Sequence, residues 1–272
     1  MNYLSVCVCI SEILSFAAIM YFPALLPSFQ AEWGLTNTEA GWISGIYFGG
    51  YAAFVPILVS LTDRVDPRKI YLLSAGLGAV SMIGFGLLAQ GFWTATAFRL
   101  LAGISFAGTY MPAVKALIYR ISGAKQSRAI SFYTASIGVG TAASVFLAGS
   151  LTGYFGWRWA AILMSLGPVA GVVLFALAVR PKPPQAPDHA VRASFLDFRP
   201  ALRNRSAIGY MLGYAAHCWE LFGVRSWMVA IMFFSLSLQP KIHLELSPQS
   251  LATLILLAGV PASILGNEGA LH

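Results

Sequence analysis

Five ionisable side chains interrupt the apolar stretches of this 272-residue chain: Glu12, Arg99, His217, Glu220 and Arg225. A charged side chain at the centre of a membrane-crossing segment costs roughly 2.5–3.5 kcal/mol on insertion scales, so it is usually kept for a function. Carboxyl and imidazole groups bind protons, and guanidinium groups bind anions. We therefore expect these residues to bind a solute or to couple its movement to protons.

The two carboxyl groups are the candidates for proton binding, and we expect Glu220, helped by His217, to be the main proton-coupling site, with Glu12 as its weaker counterpart. Removal from water favours the neutral form of a carboxyl group, so Glu12 and Glu220 could each gain and lose a proton. His217 precedes Glu220 by three residues and shares its helix face. The two side chains could relay a proton or hold a cationic group, or they could only satisfy neighbouring helices. Glu12 could also reach the membrane interface.

The two arginines suggest different roles. The planar fork of Arg99 suits a carboxylate or another planar anion, and a structural ion pair is the alternative. Arg225 lies about 140° around the helix from Glu220, which makes the two poor partners. Arg225 could line a cavity or face an outer gate. Ligand hydroxyls could come from four tyrosines: Tyr21, Tyr47, Tyr51 and Tyr110.

The elements that position these residues are eight apolar stretches: 4–29, 39–61, 70–92, 93–114, 129–152, 159–179, 206–235 and 250–266. Each is long enough for a hydrocarbon core that needs about 20 residues. A backbone in lipid must satisfy its own hydrogen bonds, so each stretch should be helical. Only 10% of the residues are charged, against about 25% in soluble domains. The sequence therefore predicts an all-α membrane protein, a polytopic bundle of about eight transmembrane helices.

The basic residues are distributed unevenly between the loops. Of the 17 Lys and Arg residues, 13 fall in the segments 62–69, 115–128 and 180–205, whereas the alternate loops hold Arg158 and Lys241. The positive-inside rule then places these segments and both termini in the cytoplasm, with the protein in the inner membrane. Topology accounts for the net charge of +7, so we expect no nucleic-acid partner.

The segment 180–205 divides the chain. Its prolines and mixed charge predict a cytoplasmic linker between a six-helix half, 1–179, and an incomplete second half, 206–272. The second half looks like a partial copy of the first, because Glu12 aligns with Glu220 at a shift of 208 residues. Parallel six-helix repeats occur in transporters. In such a repeat the two carboxylates would face one cavity.

Small residues recur at helical spacing in three stretches. They are Gly41, Gly45, Gly49 and Ala53; Gly103 and Ala107; and Gly140, Ser144 and Ala148. Small residues let helix backbones approach closely in lipid. We expect close packing at these positions, and a surface on which helices slide is the alternative.

The loop Leu61-Thr62-Asp63-Arg64-Val65-Asp66-Pro67-Arg68-Lys69 resembles the signature loop of the major facilitator superfamily, G-x-L-a-D-R-x-G-R-R. The matching positions are Leu61, Asp63, Arg64 and Arg68. Val59, Asp66 and Pro67 stand where Gly, Gly and Arg are usual. The Arg99-Leu100-Leu101-Ala102-Gly103 segment is similar to the R-x-x-x-G pattern of the fourth helix in that family. Gly156-Trp157-Arg158-Trp159 is also similar to the start of its sixth helix.

This resemblance implies a secondary transporter that moves a small solute or ion by alternating access, with proton-coupled symport as one option. It also implies a gating role for Asp63, Arg64, Arg68 and Lys69, in which Asp63 accepts hydrogen bonds from arginines or a helix N-terminus. Members of the superfamily have twelve helices, so eight stretches predict a truncated coding sequence. A non-transporting fragment or membrane scaffold is the alternative.

Other chemistry has little support in the sequence. Cys7, Cys9 and Cys218 show no metal-ligand spacing, and there is no phosphate-binding loop, nucleophile elbow or HExxH motif. We therefore expect no enzyme activity, no metal and no cofactor. The expected partners are a solute and the lipid bilayer, with no obligate protein partner.

Overall fold

The computed structural model describes residues 3–121, 123–183, 199–239 and 246–269. In these ranges it contains α-helices and short connections, which confirms the predicted all-α fold. The helices are α1 Tyr3–Phe16, α2 Tyr21–Ala24, α3 Leu26–Trp33, α4 Asn37–Leu61, α5 Pro67–Leu88, α6 Phe92–Ile118, α7 Ala124–Met164, α8 Leu166–Ala178, α9 Arg199–Arg203, α10 Arg205–Ser237 and α11 Pro248–Gly269.

Five helical segments in the described ranges are long and apolar enough to cross a membrane: α4, α5, α6, α10 and the continuous stretch 126–178. That stretch has 53 residues, about 80 Å of helix, which is far more than one crossing needs. Helix α1 and residues 248–262 of α11 are shorter apolar helices. The chain is an integral, multi-pass membrane protein.

The long stretch folds back at Gly156. This residue has φ 76° and ψ 160°, a conformation that only glycine adopts readily. Just beyond it, Arg158 Nη1 donates to the Gly86 carbonyl near the end of α5, over 3.2 Å. Further along, Phe175 stacks on Tyr71 near the start of α5, with ring centroids 3.8 Å apart. The chain after Gly156 therefore runs antiparallel to α5, as the two predicted spans 129–152 and 159–179 require.

The first predicted span, 4–29, is broken into α1, α2 and α3, so the prediction of one continuous helix was wrong. Pro23 and Pro27 lack the amide hydrogen that a continuous helix would use. Met20, in the turn after α1, instead donates its amide to Ser144 Oγ over 2.9 Å. The Ser144 side chain of α7 thus accepts a hydrogen bond from a backbone amide that the break leaves without a helical partner. This region can therefore remain buried.

Side-chain caps fix the starts of two spans. Thr36 and Glu39 form a reciprocal capping box at α4, in which Glu39 N donates to Thr36 Oγ1 and Thr36 N donates to Glu39 Oε2. Asp66 caps α5 by accepting from Arg68 N over 2.9 Å, and Pro67 occupies the first turn. Both helices consequently begin within three residues of the predicted positions.

Helix α6 packs between α4 and α5, and α1 packs against both α7 and α8. A side chain at Gly103 would collide with the backbone carbonyl of Tyr47, and a Cβ at Gly140 would lie 2.6 Å from Phe16 Cβ. The predicted close packing is confirmed at these two glycines. A Cβ at Gly45 would meet nothing within 4 Å, so the prediction was wrong there.

The two ends of the bundle differ in chemistry. We call the end that carries 62–66, 119–121 and 179–183 the basic face, and the end that carries 34–36, 89–91 and Gly156 the opposite face. Of the predicted linker 180–205, residues 184–198 lie outside the described residues, so its boundaries and those of the two halves remain predictions.

Candidate functional site

A cavity of about 560 Å³ lies between α1, α4, α6 and α7 on one side and α10 and α11 on the other. Its walls are mostly apolar, with Phe16, Phe106 and Phe222 among them. The polar side chains in its lining are Tyr51, Tyr110, Thr134, Thr141, Tyr214, His217, Cys218 and Arg225. Both the volume and the mixture of groups are typical of small-molecule sites.

Helical spacing brings the polar lining together. Tyr214, His217, Cys218 and Arg225 follow one another on α10 at intervals of three, one and seven residues, which places them on one face. His217 and Arg225 were predicted site residues, whereas Tyr214 and Cys218 were not. The threonines on α7 were missed too, although Thr134, Gly138 and Thr141 also keep to one face. The same periodicity could have found all of them.

At the opposite face, the two groups of helices are in contact. Gln249 Nε2 donates to the Ala24 carbonyl over 3.2 Å, linking α11 to α2. Val229 and Ala252 are buried in the same apolar cluster as residues of α1 to α6. A Cβ at Gly41 would lie 3.7 Å from the Trp227 ring. These contacts close the cavity at this end.

Towards the basic face, the first half of α10 stands apart from the other described helices. Every residue from Gly209 to His217 is exposed, and the buried residues of α10 are Ser226 and Val229. The described helices therefore leave the cavity open towards the basic face.

Glu220 lies outside the large cavity. It lines a pocket of about 270 Å³ between α10 and α11, together with His217 and Arg225. Within the described residues Glu220 and Arg225 form no ion pair, as their angular separation on the helix predicts. The side chain of Glu220 is exposed.

Glu12 is fully buried, at 0% exposure, and neither carboxyl oxygen has a hydrogen-bond partner among the described residues. The Tyr133 hydroxyl is a close neighbour, but it donates to the Tyr110 carbonyl over 3.0 Å. Glu12 thus does not reach the interface. It also does not share a cavity with Glu220 in the described structure, so that prediction was wrong. Its helix, α1, packs against α7 and α8.

Arg99 is buried at 4% exposure and also lies apart from the large cavity. Its Nη1 donates to the Ile19 carbonyl over 3.3 Å, beside the break after α1. The guanidinium carbon lies 4.3 Å from the centre of the Tyr47 ring, a cation–π contact. Among the described residues no carboxylate pairs with Arg99, which argues against the structural ion pair.

The four candidate tyrosines separate into two groups. Tyr51 and Tyr110 line the large cavity, as predicted. Tyr47 packs under Arg99 instead. Tyr21 is buried and donates to the Trp157 carbonyl over 2.5 Å, so it holds the break at Gly156 in place rather than offering a hydroxyl to a ligand.

On the basic face, the Asp63 carboxylate pairs with Lys115 Nζ of α6, which also donates to Thr62 Oγ1 over 2.7 Å. The expected partners were arginines or a helix N-terminus, so Lys115 is a correction. Lys115 was overlooked because it lies 52 residues from Asp63 in the sequence. It is in the last turn of α6, which brings it to the basic face. Arg64 and Lys69 are exposed on the same loop.

Asp66 is the centre of a second group on the basic face. It is 7% exposed, and its second oxygen accepts from the Lys182 amide over 2.9 Å. Arg68, a predicted gating residue, donates to the Ala176 carbonyl at the end of α8 over 2.9 Å. These bonds tie the start of α5 to the end of α8. Asp66 was recognised only as a departure from the signature loop.

Arg120 reinforces the same end of the bundle. It donates to the Ala116 carbonyl over 2.8 Å and to the Arg180 carbonyl over 2.6 Å. Burial lowers the pKa of Arg120, and the charge of Asp66 opposes that shift. Within the described ranges no three His, Cys, Asp or Glu residues are placed to hold a metal ion.

Comparisons with known proteins agree with this architecture. The family profile described as Major Facilitator Superfamily matches residues 8–268. A probable sphingolipid transporter, spinster homolog 1 of Arabidopsis thaliana, is 27% identical over 57% of this chain and 31% of its own length. The puromycin resistance protein pur8 of Streptomyces alboniger is 29% identical over 58% of this chain and 31% of its own. The chain spans about a third of the length of these two relatives.

A solved structure shares the fold. It is a bacterial homologue of the human lysosomal transporter Spinster, in an inward-facing and unoccupied conformation. The two structures superpose with a TM-score of 0.72 at 17% identity, covering 98% of this chain and 60% of that one. Membership in a family whose relatives are described as transporters agrees with the prediction that the chain is not an enzyme. The match over residues 8–268 shows that the chain belongs to the Major Facilitator Superfamily.

Proposed function

We propose that this chain is a secondary transporter that moves a small solute across the membrane by alternating access. The observation that carries the proposal is the cavity of about 560 Å³, which contacts close at the opposite face and which is open towards the basic face. In alternating access the solute would enter at one face, and the helix groups would rock to expose the cavity at the other.

We infer that the basic face is cytoplasmic, in the inner membrane, with the N-terminus on the same side. The loops on this face hold most of the lysines and arginines, which is the arrangement that the positive-inside rule associates with the cytoplasm. The described conformation is then inward-open. The Spinster homologue of similar fold is described as inward-facing.

The lining supports a solute that carries a negative charge or several acceptor groups. Arg225 and His217 are its ionisable nitrogen groups, and none of the described carboxylates lines it. Tyrosine hydroxyls supply further donors, and the phenylalanines suit an apolar body. The hydroxyls of Thr134 and Thr141 already donate to carbonyls of their own helix, so they can only accept from a solute. One relative is described as a probable sphingolipid transporter and another as a puromycin resistance protein. We expect an amphipathic solute.

We propose that Glu12, rather than Glu220, is the main proton-coupling residue. A buried, unpaired carboxylate charge is costly, whereas a neutral carboxylic acid costs much less. In the described state the carboxyl group of Glu12 is buried without a hydrogen-bond partner, which favours its neutral form, whereas Glu220 is exposed. A change in the solvation of Glu12 between the two states would then couple a proton to the transport cycle. Glu220 and His217 would have the smaller effect.

The test is uptake by liposomes that contain the purified chain. Radiolabelled puromycin and a fluorescent sphingolipid are the probes, because they match the relatives. We expect uptake of at least one probe above that of empty liposomes, and a loss in Arg225→Gln. The matched control is Arg205→Gln, the same change at an exposed site on α10 outside the cavity. Absence of uptake of both probes would favour the non-transporting scaffold.

A further inference from the structure

A further cavity, of about 40 Å³, has Arg99 in its lining. Its polar lining comes from Arg99, Tyr47, Ser15, Ser105 and Thr109, and no carboxylate in the described part of the chain contributes to it. A water molecule occupies about 30 Å³ of the liquid, so this space suits one small ion or a water molecule. It is too small for the solute of the large cavity.

The positive charge of Arg99 is poorly compensated by the described residues. Its guanidinium donates to the Ile19 carbonyl, and its Nε has no hydrogen-bond partner. The ring of Tyr47 contributes a cation–π contact, but no acidic group within the described ranges forms an ion pair with the arginine. A buried charge of this kind is normally paired.

The hydroxyl groups around the cavity narrow the choice of ligand. Ser105 Oγ donates to the Ser74 carbonyl over 2.6 Å, and Thr109 Oγ1 donates to the Phe106 carbonyl over 3.1 Å. The hydroxyl of Tyr47 has no hydrogen bond with the described residues and is a free donor. The positive charge of Arg99 would repel a cationic ligand. A small anion would neutralise that charge and accept hydrogen bonds from the remaining N–H groups of the guanidinium.

We propose that this cavity binds one small monovalent anion, such as chloride, with Arg99 as its charge partner. The site is separate from the solute cavity, although Phe16, Ile19 and Phe106 line both. Arg99 also donates to the carbonyl beside the broken first span, so the anion would stabilise the α1–α6 contact next to the solute site.

The first experiment measures thermal unfolding of the purified full chain in detergent by tryptophan fluorescence. Sodium chloride replaces sodium gluconate at constant ionic strength. Binding to the folded state raises Tm in proportion to the logarithm of the chloride concentration above Kd, by about 5 °C at roughly 100 times Kd. Arg99→Gln should lose this dependence, while Arg205→Gln should retain it.

The second experiment measures binding of radioactive chloride to the wild-type chain by equilibrium dialysis, so the proposal stays testable if Arg99→Gln fails to fold. We expect saturable binding of one anion per chain, weakened in Arg99→Lys. An absence of saturable binding, or equal binding in the Arg99 variants, would leave a water-filled cavity and overturn the proposal. Neither measurement needs a solute or a gradient, so the result is independent of transport.

Discussion

The side chain of Gln249 donates to the carbonyl of Ala24, and this hydrogen bond joins the first turn of α11 to the broken first span. A Cβ at Gly149 would lie 2.9 Å from Gln249 Cβ, so the glutamine also fits closely against α7. The two groups of helices are thus held together at the opposite face. In alternating access this contact would have to break when the cavity opens to that face.

Loss of this contact should favour opening at the opposite face. A net hydrogen bond contributes about 0.5–1.5 kcal/mol, so Gln249→Ala should shift the balance between the two states by roughly 2- to 10-fold. Distances between spin labels on the exposed residues Ser28 and Leu246 would report the opening. Ser250→Ala is the control, since Ser250 bonds only locally to Ser247. Unchanged distances in Gln249→Ala would count against a gate here.

Gly103→Val should destabilise the bundle strongly. The new side chain would collide with the Tyr47 carbonyl at the α4–α6 contact, and overpacking of this kind costs about 1–3 kcal/mol or more. The measurement is unfolding of the purified chain in detergent. Gly45→Ala is the control, because a Cβ there meets no atom within 4 Å. Equal stability of the two variants would contradict the described packing.

Glu12→Gln should separate exchange from accumulation. The amide cannot bind and release the proton, so exchange of solute across the membrane should continue while accumulation driven by a pH gradient should vanish. Glu220→Gln, at an exposed position, should keep most of the accumulation. The measurement is uptake in liposomes with an imposed pH gradient. Persistent accumulation in Glu12→Gln would remove this residue from the coupling mechanism.

The Asp63–Lys115 pair should matter more for gating than for stability. The Asp63 side chain is 57% exposed, and exposed pairs contribute only about 0–1 kcal/mol. We therefore expect Asp63→Asn and Lys115→Gln to unfold like the wild type but to change solute flux, and the double variant to resemble either single variant. Additive effects on flux would show that the two residues act independently.

Composition, the apolar stretches and the positions of Gly156 and Asp63 were enough to predict the helical bundle and its family, because lipid permits few backbone structures. The break of 4–29 was missed although Pro23 and Pro27 are visible in the sequence, because the amide of Met20 that the break releases is satisfied by Ser144 in another helix. Repeat symmetry predicted that Glu12 and Glu220 share a cavity. That prediction failed because the symmetry carries no information about side-chain packing. The positions of Tyr214 and Cys218 could have been predicted, because they share a helix face with His217 and Arg225. The pairing of Asp63 with Lys115 could not, because it joins residues 52 apart in the sequence.

The most direct test of the account uses Cys218, a half-buried thiol in the lining of the large cavity, while Cys7 and Cys9 are buried. A membrane-impermeant methanethiosulfonate reagent is added to inside-out and to right-side-out vesicles, and modification is read by mass spectrometry with Cys218→Ser as the control. An inward-open cavity predicts rapid modification of Cys218 from the cytoplasmic side and little from the outside. Modification only from the outside, or from neither side, would contradict the inward-open cavity.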